Sequence, residues 1–151
     1  MSTREPRDRA TRKADALARL SEPAVDVWVS TASVDGGPYL VPLSLAWVAE
    51  RAVIAVEASS PTARNLTDAK CARLGVGPTR DVVLIDATVE RWVDAAAGDP
   101  VGDAYAAQAD WDPRGLAGYA YFVLRPTRIQ AWREADELAG RLLMRDGAWL
   151  V

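Results

Sequence analysis

Between Val25 and Ser33 apolar and polar residues alternate. Val25, Val27 and Val29 stand against Asp26, Trp28 and Ser30, the two-residue period of a half-buried strand. Asp35-Gly36 then marks a tight turn, and Tyr39–Trp47 pairs back as a hairpin. Arg51–Ala58 forms a third strand after a short loop. Pro42 lies inside the second strand and has no N–H for a ladder, so a bulge or a sheet edge is expected there. Two other segments carry helical spacing. In 5–20, Ala14, Leu17, Ala18 and Leu20 recur on one face. At Pro61–Lys70, Ser60 fits the N-cap and Pro61 the first helical position. The runs "CARLGVG" and "RDVVLIDATVERWV" read as two strands joined near Gly77-Pro78. Residues 94–118 are rich in Ala, Gly and Asp, with a helix around Asp103–Asp110. "YAYFVLRPTRIQAWRE" reads as two strands broken at Arg125-Pro126, and "GRLLMRDGAWLV" closes the sheet. This order predicts a mainly β (α+β) fold, a closed antiparallel barrel of about six strands with a few short helices. One domain is expected over 1–151: an N-terminal helix in 1–22, barrel strands over 25–92 with the helix 61–70, a helical insertion at 94–118, and C-terminal strands at 119–151.

Composition narrows the chemistry. Half of the 151 residues are hydrophobic and 26% are charged, as in a globular protein. The net charge of -3 offers no overall basic field, so no nucleic-acid partner is expected. The first thirteen residues are locally basic (Arg4, Arg7, Arg9, Arg12, Lys13) and are read as a solvated helix. No apolar run follows them, which argues against a signal peptide. No run approaches the roughly 20 apolar residues of a membrane helix, so no membrane partner is expected. The single cysteine, Cys71, has no internal partner for a disulfide. A cytoplasmic location is the expectation, with Cys71 a small buried hydrophobe. Histidine is absent. That removes Ser-His-Asp and Cys-His nucleophile systems and His-based metal sites, so no metal is expected. No catalytic side chain stands out, and an organic cofactor would have to carry any redox chemistry. Trp28, Trp47, Trp92, Trp111 and Trp149 are read as core or interface aromatics. Asp81, Asp86 and Glu90 are read as sharing one strand with a solvated face.

The stretch "EASSPTARNLTDAKCARLGV" supplies the candidate binding chemistry. A helix mouth offers free N–H groups and partial positive charge. Ser60 and Thr62 add hydroxyls and Arg64 a full charge, a set that suits a phosphate. The same residues serve equally as an ordinary helix cap.

The wider order "V.VSTASVDGGPYLVPLSLAW…RAVIAVEASSPTARNL…ARLGVG…RDVVLIDATVERW", resumed at "RPTRIQAWRE…GRLLMR", resembles the pyridoxamine 5'-phosphate oxidase-like FMN-binding split barrels, and most of all their flavin- and deazaflavin-dependent oxidoreductases. The resemblance implies a split barrel and a homodimer with two cofactor sites between subunits. The cofactor would be FMN or the deazaflavin coenzyme F(420). It implies that Tyr39, Leu40, Val41, Pro42, Leu43 and Ser44 run along the isoalloxazine ring. Ser60, Thr62, Arg64 and Asn65 match the phosphate-binding turn, and Arg80 and Asp81 the head of a strand that reaches the ring. Trp132 and Arg145 fall on flavin-contacting positions. This chain departs from the oxidase in three respects. Pro61 and Thr62 replace a basic pair after the Ser. Leu143 stands where the oxidase has a substrate-holding His. The Trp-to-Arg spacing is three residues longer. Hydride transfer to or from a small organic molecule is therefore expected, rather than pyridoxamine phosphate oxidation. The alternatives are a non-catalytic flavin carrier or sensor, and a cofactor-free interaction module.

Overall fold

The computed structural model describes residues 4–151. Positions 1–3, the start of the N-terminal span 1–22, lie outside the described residues. The elements run α1 (Arg9–Leu20), β1 (Asp26–Ala32), β2 (Pro38–Ser44), β3 (Ala46–Val48), β4 (Arg51–Glu57), α2 (Pro61–Ala69), β5 (Cys71–Val76), β6 (Val82–Asp94), α3 (Val101–Ala109), β7 (Tyr119–Trp132), β8 (Leu142–Arg145) and β9 (Ala148–Trp149). All strand pairs are antiparallel, in the order β2-β1-β5-β6-β7-β4-β3, with β8 on β7 and β9 on β8. This is a split barrel rather than a closed one, because the hydrogen-bonded path ends at β2 and β3. Its nine strands exceed the expected six because three of them, β3, β8 and β9, are short.

The alternation read in the sequence sets the layers. In β1, Val27 and Val29 are buried while Asp26 and Trp28 face out. The sheet curls around Val27, Val29, Ile54, Leu74, Ile85, Phe122 and Ile129, and α1 and α2 add Leu20 and Leu66. β4 is a continuous apolar run because both of its faces are covered. Ile54 and Val56 point into this core, while Val53 and Ala55 pack under Val101, Tyr105 and Ala109 of α3.

The second predicted strand, Tyr39–Trp47, is divided at Leu45, whose N–H donates to Val25 O at 3.0 Å. Pro42 does lie on an edge strand, since β2 pairs with β1 alone. The expected break at Arg125-Pro126 is instead a bulge within one 14-residue strand. Ala87 pairs with Pro126 and Asp86 with Arg128, so Thr127 is the extra residue. Its Oγ1 donates to Asp86 O at 3.1 Å. Proline thus falls where the ladder is already interrupted.

Two expectations are corrected. Cys71 is exposed, because it lies in phase with outward-facing Arg73 while Ala72, Leu74 and Val76 turn inward. The basic N-terminal segment is not a solvated helix. Arg12 is 5% exposed and donates to the carbonyls of Arg7, Glu137 and Ala139 at 3.0, 2.8 and 3.2 Å. Arg7 forms a two-point ion pair with Glu137, Nε to Oε1 at 3.0 Å and Nη2 to Oε2 at 2.8 Å. Buried guanidinium groups need partners, and the turn after β7 supplies them.

Candidate functional site

A cavity of about 780 Å³ opens where the end of α1 meets the sheet. Its walls are Arg19 of α1, Glu22 and the Pro23-Ala24 turn after that helix, Asp26 and Trp28 of β1, Pro42–Ser44 of β2, and the segment Gly75–Pro78. The volume lies in the range of small-molecule sites. Two devices hold the walls. Arg19 Nη2 donates to Asp81 Oδ2 at 2.9 Å and its Nη1 to Asp81 O. This is possible because Gly77, at φ +89°, has no side chain to obstruct the guanidinium. From the other side, Gln108 Nε2 donates to Leu20 O at 2.7 Å, and Gln108 O accepts from Ala24 N at 2.7 Å. α3 therefore fixes the turn that forms the cavity's rim.

The expected cofactor residues fall into separate groups. Pro42, Leu43 and Ser44 line the cavity. Leu40, 58% exposed, is on the outer face with Pro42, while Tyr39 and Val41 share the inward register of Leu43. Among the described residues β2 is hydrogen-bonded in the sheet to β1 alone, so its far edge presents free backbone donors and acceptors. Tyr39 lies opposite Thr31 at the other end of β2, roughly 17 Å along the strand from Ser44. There Thr31 Oγ1 accepts from Asn65 Nδ2 at 3.1 Å. The mouth of α2 is thus beside the Tyr39 end.

That mouth is largely spent on the fold. Ser60 Oγ accepts from Ala63 N at 3.1 Å as an N-cap. Thr62 is 2% exposed and Asn65 is buried against Thr31. Arg64 is exposed and makes no ion pair among the described residues. Of the expected phosphate set, Arg64 alone points to solvent with its charge free.

Arg80 is paired at the surface with Glu134, its Nε donating to Oε1 at 2.8 Å. Asp81 meets Arg19, and also Arg7 at 3.4 Å and Arg133 at 3.6 Å, so it acts through Arg19 on the cavity wall. Trp132 pairs with Val82, on a strand three places from β1, and lies under the Arg141 guanidinium at 5.4 Å. Arg145 is exposed at the β8–β9 turn, paired in register with Ala148. Neither residue reaches the cavity within one chain.

Three residues that shape the cavity were not singled out for binding in the sequence: Arg19 and Gly77 in its wall, and Gln108, which braces the rim from behind. Only Gly77 carries a local signal, a Gly-Pro pair between two strands. Trp28 was read as a core or interface aromatic; it is not in the core, being 53% exposed on the cavity's rim. Asp86 and Glu90 make ion pairs with Arg73 and Arg51, as a solvated face would. Among the described residues no cluster of His, Cys, Asp or Glu could hold a metal, and no helix is long and apolar enough to cross a membrane.

No family model matches the chain, and no curated protein does. Solved structures do. An F(420) reductase is 22% identical with a TM-score of 0.59, over 73% of this chain and 92% of that one. A heme-binding protein from Mycobacterium smegmatis is 20% identical with a TM-score of 0.66, over 93% of this chain and 59% of that one. A Listeria innocua protein assigned as a pyridoxamine 5'-phosphate oxidase is 12% identical with a TM-score of 0.61, over 79% of this chain and 96% of that one. At these identities the likeness establishes a common fold.

Proposed function

We propose that this chain, which has the split-barrel fold of the pyridoxamine 5'-phosphate oxidase-like proteins, binds a flavin-type cofactor and is an oxidoreductase. The cofactor is FMN or the deazaflavin coenzyme F(420), and the reaction is hydride transfer to or from a small organic molecule. The observation that carries this reading is the free edge of β2 beside the 780 Å³ cavity. A flat heteroaromatic ring needs apolar faces and a polar edge. Trp28, Pro42 and Leu43 offer the first, and the unpaired amides and carbonyls of β2 the second. The bound ring would supply the hydride chemistry, since the side chains in the wall contain no redox group. The chain's own part is to orient the ring and limit its contact with water. A heme would need an axial ligand, and no His, Cys, Met or Tyr lines the cavity.

The fit is better at the ring than at the phosphate, because Ser60, Thr62 and Asn65 are engaged in the fold. Arg64→Ala is expected to weaken FMN binding by about 1.5–3 kcal/mol, the worth of a charge-assisted contact. Riboflavin, which lacks the phosphate, should bind equally to both forms. Fluorescence titration with the two ligands and with F(420) checks this. Equal losses for FMN and riboflavin would make Arg64 structural. Failure of all three ligands to bind would leave the cofactor-free interaction module, the alternative that the spent mouth of α2 favours.

We further propose a homodimer. Trp28, Leu40 and Pro42 leave apolar surface on the outer face of the β1–β2 hairpin, and Trp132 and Arg145 could join a cofactor site only from a second chain. Sedimentation should give a dimer at micromolar concentration, and Trp28→Glu should shift it to monomer. A strict monomer for the parent chain would remove the shared site.

A further inference from the structure

The outer face of β5, β6 and β7 carries a second, separate concentration of chemistry. Strand register sets Arg73 opposite Asp86 and Asp86 opposite Arg128. In the next row outward-facing Leu84 is opposite Gln130, and Gln130 pairs with Leu142 of β8. Arg141, immediately before β8, therefore comes beside Gln130. Arg73, Leu84, Asp86, Arg128, Gln130 and Arg141 line a hollow of about 180 Å³.

The charges around it do not balance. Three guanidinium groups face one carboxylate, and Arg73 takes that carboxylate with Nε to Oδ1 at 2.6 Å and Nη2 to Oδ2 at 3.2 Å. Arg128 and Arg141 make no ion pair among the described residues. Arg141 lies over the Trp132 ring, its guanidinium carbon 5.4 Å from the centroid, a contact that does not neutralise the charge. In a chain of net charge -3, two uncompensated cations rim one small concavity, and Gln130 adds a neutral amide. Like charges so placed repel each other until an anion sits between them.

We propose that this hollow is an anion-binding site for a phosphate group. Arg128 and Arg141 supply charged N–H donors from two sides, and Gln130 supplies an amide donor. Its volume is below that of a typical small-molecule pocket, so it accepts the anionic group of a ligand whose remainder lies outside. Arginine forks suit the several oxygens of phosphate. The site is independent of the flavin reading, because neither Arg64 nor any wall of the large cavity takes part.

The test is a titration of the purified chain with inorganic phosphate and pyrophosphate, read by calorimetry and by the arginine Nε–Hε resonances. Pyrophosphate should bind, with affinity that falls as salt rises. Arg128→Gln and Arg141→Gln should each weaken it about tenfold, and the double variant should abolish it. Asp86→Asn, which frees Arg73, should tighten it. No binding of either ion at millimolar concentration would overturn the proposal. So would binding that survives the double variant, or citrate binding where the phosphates do not.

Discussion

Glu137→Ala is expected to destabilise the protein by about 3–5 kcal/mol, the cost of removing one partner from a buried ion pair. Glu137 is 1% exposed. Its oxygens accept from Arg7 N at 2.9 Å, from Arg7 Nε and Nη2, and from Arg133 N at 2.9 Å. Truncation would take the two-point partner from a largely buried guanidinium, leaving it only Asp15 and the more distant Asp81, and would leave two backbone N–H groups without partners. The same pair sets an acid limit. The hydrogen bonds from Arg7 hold the Glu137 carboxyl at about 2, against an ordinary 4.5. A depressed folded-state value stabilises the native state fully above the unfolded value and is lost as pH falls through the folded one. Stability should therefore decline from about pH 4.5 toward pH 2 in the parent chain. In Glu137→Gln the contribution of this group to that decline should vanish. Chemical denaturation across that range checks both. A loss under about 1 kcal/mol for Glu137→Ala would mean that the N-terminal segment contributes little to global stability.

Gly77→Ala is the second large effect. Gly77 sits at φ +89°, where an L side chain is strained. A Cβ there would stand 2.6 Å from Asp81 O and would strike the Arg19 guanidinium. The backbone oxygen cannot swing away, so the Arg19–Asp81 contact must open. A loss of about 2–4 kcal/mol is expected from strain and broken contacts together. The change should be local first: α1 amides should exchange faster while those of β6 and β7 stay protected. Because Arg19 and Gly77 both line the large cavity, ligand affinity should fall as well. Unchanged melting and unchanged α1 exchange would show that the latch does not hold the wall.

Much of the fold was legible because its signals are local. The alternation of Val27 and Val29 with Asp26 and Trp28 needs only a neighbour two residues away to declare a strand. The Asp-Gly turn and the Ser60-Pro61 helix start rest on backbone preferences of single residues, and both occur as read. The order of these elements pointed to an antiparallel barrel, the family resemblance implied that it is split, and the sheet does end at β2 and β3. Tertiary structure alone decided the rest. Pro126 looked like a strand end, but β6 across the ladder accommodates it at the Thr127 bulge. Asp81 looked like a ring-reaching residue, but it binds Arg19, 62 positions away. Arg7 and Arg12 looked solvated, but their partners lie in a turn 125 to 130 positions along the chain. Hydrophobic period and turn chemistry act over a few residues, so they determine which elements form. Which charge meets which depends on how the sheet curls and returns its ends together, and no short-range pattern in the chain records that.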